Sequence, residues 1–220
     1  MKIAFFSTKP YDRTWFSPIS AQYGHKILFI EAPLTTDTVL LATGCEAVCV
    51  FVNDHVTADV IDMLSDLGVK LLLLRCAGYN NVNLKAAQGR IKVLRVPSYS
   101  PDAVAEFAAA LLLTINRKTH KAYNRTRDFN MTLSGLMGTD LAGKTAGVVG
   151  TGKIGMAMVR ILKGFNMKVL AYDPYPEKGL DANYVDLDVL LQASDVISLH
   201  CPLTADTYHK MCIRDSFRPG

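Results

Sequence analysis

Gly150-Thr151-Gly152-Lys153-Ile154-Gly155 follows an apolar run, Thr145 to Val149, and opens a helical pattern from Lys153 to about Lys163. Eighteen residues beyond Gly155, a second apolar run (Lys168 to Tyr172) ends in Asp173. Strand, glycine turn, helix, strand and acid, in that order, make a dinucleotide-binding fingerprint. Each glycine has its own task. Gly150 permits the tight turn, Gly152 lets the backbone approach a pyrophosphate, and Gly155 lets the helix pack close to the sheet. The helix start at Lys153 and Ile154 offers unpaired N–H groups and a positive dipole end to the phosphates.

The acid selects the cofactor. A carboxylate at the end of the second strand accepts hydrogen bonds from both adenosine ribose hydroxyls and repels a 2′-phosphate. Pro174, Tyr175 and Pro176 follow it, so no arginine stands there to receive such a phosphate. The expected cofactor is NAD rather than NADP.

At 220 residues, 50% hydrophobic and 20% charged, the composition is that of a soluble globular chain with room for one or two cores. Cys45, Cys49, Cys76, Cys201 and Cys212 form no paired metal spacing, and an odd count argues against a disulfide framework. No metal site is expected. Four apolar residues precede Ser7, too few for a signal peptide, and no apolar stretch approaches the ~20 residues of a membrane span. Cytoplasm is therefore the expected compartment. A net charge of +4 is mild; its one concentration is Arg117, Lys118, His120, Lys121, Arg125 and Arg127. Without an aromatic stacking platform this cluster reads as a solvated or interface face rather than a nucleic-acid site.

Upstream of the fingerprint, apolar runs alternate with helical patterns. Lys2–Phe6, Lys26–Ile30, Ala47–Val52, Lys70–Leu74 and Lys92–Val96 read as strands; Thr14–Tyr23, Thr36–Ala42, Ala58–Leu67 and Leu84–Gln88 read as helices. Continuous runs such as Leu71 to Leu74 suit a parallel sheet covered on both faces. Pro97-Ser98-Tyr99-Ser100-Pro101 breaks the pattern. The boundary is therefore placed here: residues 1–100 form a flavodoxin-like domain, and residues 101–220 a Rossmann-like nucleotide domain. Ser100 and Pro101 start one long helix, 101–123, either buried or shared with a second subunit, with a dimer seam the favoured reading. After Asp173 come a helix near Leu187–Gln192 and a strand, Asp195–Leu199, followed by His200-Cys201-Pro202. Counting strands gives only three of the six in a doubly wound nucleotide domain, so the strand before Gly150 is expected to have one unpaired edge. The fold class is α/β with two parallel-sheet domains, the second incomplete, and the chain reads as a fragment.

Arg75-Cys76-Ala77-Gly78-Tyr79-Asn80-Asn81-Val82, the block Val96 to Glu106, and the block Asn116 to Arg127 resemble the NAD-dependent D-2-hydroxy-acid dehydrogenases, the bacterial D-lactate branch most of all. With Gly147 to Gly155, Asp173-Pro174-Tyr175 and Ser198 to Thr204, the resemblance runs in register from Met1 to about His209. It implies hydride transfer between NADH and a small 2-keto acid, pyruvate giving D-lactate; the seam read on helix 101–123 makes a homodimer the expected assembly. It also implies that the amides of Ala77 and Gly78 hold the substrate carboxylate and that the Tyr99 phenol contacts substrate. Gly152, Lys153, Ile154, Gly155 and Asp173 would contact the nucleotide, with Cys201 and Pro202 lying against it. The bland alternatives are that Tyr99 packs a hinge and that Cys201-Pro202 ends a strand.

The family's arginine and its histidine–carboxylate pair lie beyond the region that follows the family, so no catalytic residue is assigned in this chain. Arg75 closes a strand in the first domain, where orienting a loop is the simpler role, and the family does not use His200 as its base. Residues 211–220 depart from the pattern and read as a non-family tail. Two other readings are a nucleotide-sensing co-repressor on the same scaffold and an isolated NAD-binding module.

Overall fold

Among the described residues, nine short strands build two separate parallel sheets. The computed structural model describes residues 1–177, 179–202, 204 and 207. The chain divides into two compact units, Met1–Tyr99 and Ser100–Gly220.

In the first unit, β1 (Lys2–Phe5), β2 (Lys26–Phe29), β3 (Ala47–Val50), β4 (Leu71–Leu74) and β5 (Lys92–Arg95) lie in the order β2-β1-β3-β4-β5, every pair parallel. This is the flavodoxin-like strand order. All four residues of β3 are buried, as a central strand with both faces covered requires. Helix α1 (Pro10–Gln22) begins four residues before the expected Thr14, because the Asp12 carboxylate accepts from the Lys9 amide at 2.8 Å and closes its first turn. Helix α2 (Ala58–Asp66) is capped by Thr57 and buries Val60, Ile61 and Leu64 on one face. Helix α3 (Leu84–Ala87) is capped by Asn83.

The helix expected over 36–42 is only a 3-10 turn, Val39–Ala42. Thr38 Oγ1 donates to the Pro33 carbonyl at 2.6 Å and accepts from the Thr35 amide at 2.9 Å, offering the backbone a competing arrangement. Phe6, Leu34, Val48, Ile61, Leu64 and Leu72 centre the main core of this unit.

In the second unit, α4 (Pro101–Arg117), α5 (Thr119–Arg127), β6 (Thr145–Val149), α6 (Lys153–Gly164), β7 (Lys168–Tyr172), β8 (Asn183–Tyr184), α7 (Leu187–Ala193) and β9 (Val196–Leu199) follow in turn. Two expectations are corrected here. The single helix over 101–123 is two helices, because Lys118 adopts the left-handed conformation (φ 52°). Beside the break, the Asn116 side chain is tied to the Thr139 amide and carbonyl at 2.9 and 2.7 Å.

The sheet order is β8-β7-β6-β9, all parallel, so β6 is paired along both edges rather than one. The third strand in space is the two-residue β8. The run near 195–199 instead crosses over to the far side of β6. Among the described residues the edge strands are β8 and β9. Ala105 of α4 is buried in one core with Ala157, Met158 and Leu162 of α6, the small side chains of Ala105 and Ala157 letting the two helices approach closely. The expected tail, 211–220, lies outside the described residues.

Candidate functional site

The chain order runs outward from β6 to β7 and β8, then crosses back to β9 on the other side of β6. Such a switch point leaves a crevice at the carboxyl ends of the strands. Here it is a cleft of about 830 Å³ lined by, among others, Gly150, Gly152, Asp173, Tyr175, His200 and Pro202, a size typical of cofactor sites.

The three glycines of the turn differ sharply in what surrounds them. Gly150 has φ +91°, its amide donates to the Tyr172 carbonyl at 2.8 Å, and a β-carbon there would stand 2.7 Å from the Cys201 nitrogen. Gly155 is buried, and a β-carbon on it would fall on the Gly150 carbonyl oxygen. Gly152 is different. Its backbone is extended (φ −62°, ψ −171°), and a β-carbon there would meet nothing within 4 Å. No protein atom among the described residues requires a glycine at that position, yet it is the N-cap of α6 and carries no capping side chain. The first-turn amides of α6, Lys153 and Ile154 included, have no acceptor within the helix. An anion close to the backbone is what such an open helix start accommodates, and the glycine keeps its path clear. The residues present therefore fit a bound pyrophosphate.

Asp173 stands one residue beyond β7. Its Oδ2 accepts from the Thr151 amide at 2.6 Å and from Thr151 Oγ1 at 3.1 Å; its Oδ1 accepts from the Tyr175 amide at 2.9 Å. Burial is the largest single influence and raises the carboxyl pKa, but these three hydrogen bonds together outweigh it and hold the group below the ordinary carboxylate range. Asp173 is thus ionised at neutral pH. Thr151 is 2% exposed, and its hydroxyl accepts from Tyr184 Oη at 2.9 Å. The motif reading passes over Tyr184, which lies on a strand too short to show periodicity. Asp186 and Asp188 also line the cleft.

Cys201 and Pro202 line the same cleft, beside Gly150. The His200 ring is half-buried, its Nε2 lies 2.8 Å from Ser198 Oγ, and burial lowers its pKa, so it stays neutral at pH 7. Gly150, Gly152, Asp173, Cys201 and Pro202 are thereby brought together, with Lys153 and Ile154 on the first turn of the adjoining helix.

Ala77, Gly78 and Tyr99 belong to the first unit. The Ala77 and Gly78 amides follow β4 and donate to no protein acceptor among the described residues. Arg95 Nη1 donates to the Ala77 carbonyl at 2.7 Å, and Cys76 Sγ to the Gly78 carbonyl at 3.2 Å. In a trans peptide the Ala77 carbonyl and the Gly78 N–H point in opposite directions. Fixing one therefore aims the other. The Tyr99 ring is exposed.

The Arg75 side chain is only 9% exposed. It donates to the Phe6 and Ser7 carbonyls at 3.1 and 3.3 Å and stands 3.9 Å from the Asp12 carboxylate. It is a buried brace. In the basic segment, Arg125 Nη1 donates to the Thr132 and Ser134 carbonyls at 2.9 and 2.6 Å. Arg127 lies over the Tyr123 ring. Among the described residues no cluster could hold a metal, and no helix is long and apolar enough to cross a membrane.

A family profile described as D-isomer specific 2-hydroxyacid dehydrogenase, NAD binding domain, matches residues 109–217. The chain is 53% identical over 213 residues to a D-lactate dehydrogenase of Escherichia coli, covering 95% of this chain and 65% of that protein. It is equally similar to a 2-hydroxyacid dehydrogenase homolog of Haemophilus influenzae, of which it covers 64%. The chain thus spans just under two thirds of the length of these curated relatives. The apo-structure of the Escherichia coli D-lactate dehydrogenase superposes with a TM-score of 0.89 at 52% identity, covering 96% of this chain and 68% of that one. A D-lactate dehydrogenase from Aquifex aeolicus, solved in complex with NAD and lactic acid, superposes at 0.79 with 30% identity, covering 94% of this chain and 63% of that one. With its fingerprint, its cleft and these likenesses in agreement, the chain belongs to the D-2-hydroxyacid dehydrogenase family and carries that family's NAD-binding domain in its second unit.

Proposed function

We propose that this chain is the substrate domain (residues 1–100) and the first part of the NAD domain (residues 101–220) of an oxidoreductase that reduces a small 2-keto acid, pyruvate giving D-lactate. The observation that carries this reading is Gly152, a glycine with no structural reason to be one, at the mouth of an open helix start. The amides of Gly152, Lys153 and Ile154 would hold the pyrophosphate, and Asp173 an adenosine ribose hydroxyl. Cys201 and Pro202 would wall the nucleotide. The Asp173 carboxylate lining the cleft disfavours a 2′-phosphate, so NAD is preferred to NADP. When bound, NADH supplies the hydride.

On the substrate side, the free amides of Ala77 and Gly78 would take the carboxylate of the acid, the latter aimed by Arg95, with Tyr99 contacting the substrate. Among the described residues, neither the arginine nor the histidine nearest in character to such a role is available as a carbonyl-polarising cation or proton donor. Arg75 is committed to the Phe6 and Ser7 carbonyls, and the neutral His200 is held by Ser198. The chain should bind NADH but not turn it over. Fluorescence titration tests the first statement, and sustained NADH oxidation with pyruvate would refute the second. Nothing observed favours the nucleotide-sensing alternative.

A homodimer is the proposed assembly, with its seam on α4 and the segment after α5 rather than on one long helix. Phe107, Leu111 and Ile115 of α4 are exposed, as are Met131, Leu133, Met137 and Phe129, the last 89% accessible. So much apolar surface marks an interface. Sedimentation should show a dimer that Phe129→Asp with Met137→Asp dissociates; a monomer before mutation would refute it. Cytoplasmic location is the companion reading, since the four described cysteines are all unpaired.

A further inference from the structure

Asp173, the carboxylate proposed to receive an adenosine ribose hydroxyl, has a support outside the glycine motif. We propose that Tyr184, acting through Thr151, is a positioning residue that fixes Asp173 for NAD and so sets the preference over NADP. This rests on the nucleotide reading given above.

The geometry forms a directed line of donors. The Glu177 amide donates to Tyr184 Oη at 3.0 Å, Tyr184 Oη donates to Thr151 Oγ1 at 2.9 Å, and Thr151 Oγ1 donates to Asp173 Oδ2 at 3.1 Å. A longer contact from Tyr184 Oη to the Glu177 carbonyl, 3.4 Å, competes poorly for the phenolic proton. Because Thr151 Oγ1 accepts from tyrosine, its own proton is left for the carboxylate, and hydrogen bonds in series polarise one another.

The backbone explains how the tyrosine arrives there. Tyr184 is registered opposite Ala171 of β7, and the next amide, Val185, donates to the Ala171 carbonyl at 3.0 Å. Two residues of strand thus suffice to deliver one phenol to the end of the sheet.

The consequence for ligand recognition follows from counting acceptor positions. An ionised carboxylate offers about two per oxygen. Thr151 fills both on Oδ2, and the Tyr175 amide fills one on Oδ1. One acceptor position remains, on Oδ1, in a fixed direction. Asp173 is therefore a one-point probe for a ribose hydroxyl, held so that it cannot swing away from a 2′-phosphate.

The test is a double-mutant cycle on the 220-residue chain, titrated with NADH and with NADPH by fluorescence. Tyr184→Phe should weaken NADH about threefold and Thr151→Val about tenfold, the scale of one indirect and one direct hydrogen bond, while NADPH, facing a carboxylate now able to swing away from its 2′-phosphate, binds equally well or better. Thr151→Ser should keep the unaltered affinity. In an Asp173→Ala background both effects should vanish, because both act through that carboxylate. If Thr151→Val fails to fold, Tyr184→Phe on its edge strand decides alone. Equal losses for NADH and NADPH, or losses that persist without Asp173, would overturn the proposal and leave Tyr184 a structural prop. Failure of the unaltered chain to bind NADH would instead overturn the nucleotide reading, and this proposal with it.

Discussion

An alanine at Gly152 would place its methyl group where no protein atom of the described residues lies within 4 Å, on a backbone (φ −62°, ψ −171°) that any residue adopts. Folding therefore has nothing to lose. Reduced freedom of the unfolded chain should stabilise Gly152→Ala by about 0.4–1 kcal/mol. For a chain of this size that is a rise of roughly 1–4 °C in melting temperature. Binding should move the other way. The methyl group would occupy the approach of the pyrophosphate to the first turn of α6, and overpacking on that scale costs about 1–3 kcal/mol. NADH affinity should fall by a factor of about five to a hundred.

Gly150→Ala and Gly155→Ala provide the contrast. The first forces a side chain into φ +91° and against Cys201; the second drives one into the Gly150 carbonyl. Both should melt well below the unaltered chain. Thermal unfolding and NADH fluorescence titration on the same three variants separate the roles. A folded Gly152→Ala that binds NADH undiminished would refute the cradle. One that melts several degrees lower would refute the claim that the position is structurally open.

Two further outcomes are expected. Because the folded pKa of Asp173 is lowered, its contribution to stability is present above the ordinary carboxylate pKa and lost as pH falls through the lowered folded value. Urea denaturation should show Asp173→Asn less stable than the unaltered chain at pH 7, the gap closing toward the acid end; a gap constant with pH would contradict the hydrogen-bond account. Arg75→Met should destabilise the first unit by about 3 kcal/mol or more, since Asp12 is left buried without its cation and two carbonyls lose a donor. A denaturation midpoint within error of the unaltered chain would show the brace to be dispensable.

What could be seen in the sequence is what leaves a local mark. Continuous apolar runs give the strands of both sheets because buried parallel strands tolerate little else. Gly150 and Gly155 are legible because a positive φ and a blocked β-carbon can be met only by glycine. The break at Lys118 left no such mark: the tie that accompanies it joins Asn116 to Thr139, 23 residues away. The strand β8 is two residues long, and two residues have no period to detect. Overlooking it gave the strand near 195–199 the wrong place in the sheet and left β6 apparently half paired. Tyr184 was lost with it. A side chain that acts through a neighbour's hydroxyl is fixed by tertiary geometry, and no motif spacing encodes it.

Why the two units, both parallel α/β sheets, should divide labour follows from their switch points. In the first unit the crevice between β1 and β3 is the place where an open sheet of this strand order receives a ligand. It is filled by the protein itself. Arg75 donates to the carbonyls leaving β1, and its guanidinium stacks 4.1 Å from the Phe5 ring centroid. Asp54, fully buried, accepts from Ser7 Oγ at 2.7 Å and from the Phe51 amide at 2.7 Å beyond β3. A paired, hydrogen-bonded cluster of this kind is costly to disturb, so a nucleotide has no entry there. One strand further on lie the amides of Ala77 and Gly78, which donate to no acceptor among the described residues and are the ones proposed for the substrate carboxylate. In the second unit the corresponding crevice holds glycine, no capping side chain and an ionised aspartate, and it is the crevice proposed for the dinucleotide. The strand arrangements are close kin; the side chains at the carboxyl ends decide which crevice is occupied from within and which is left for a ligand.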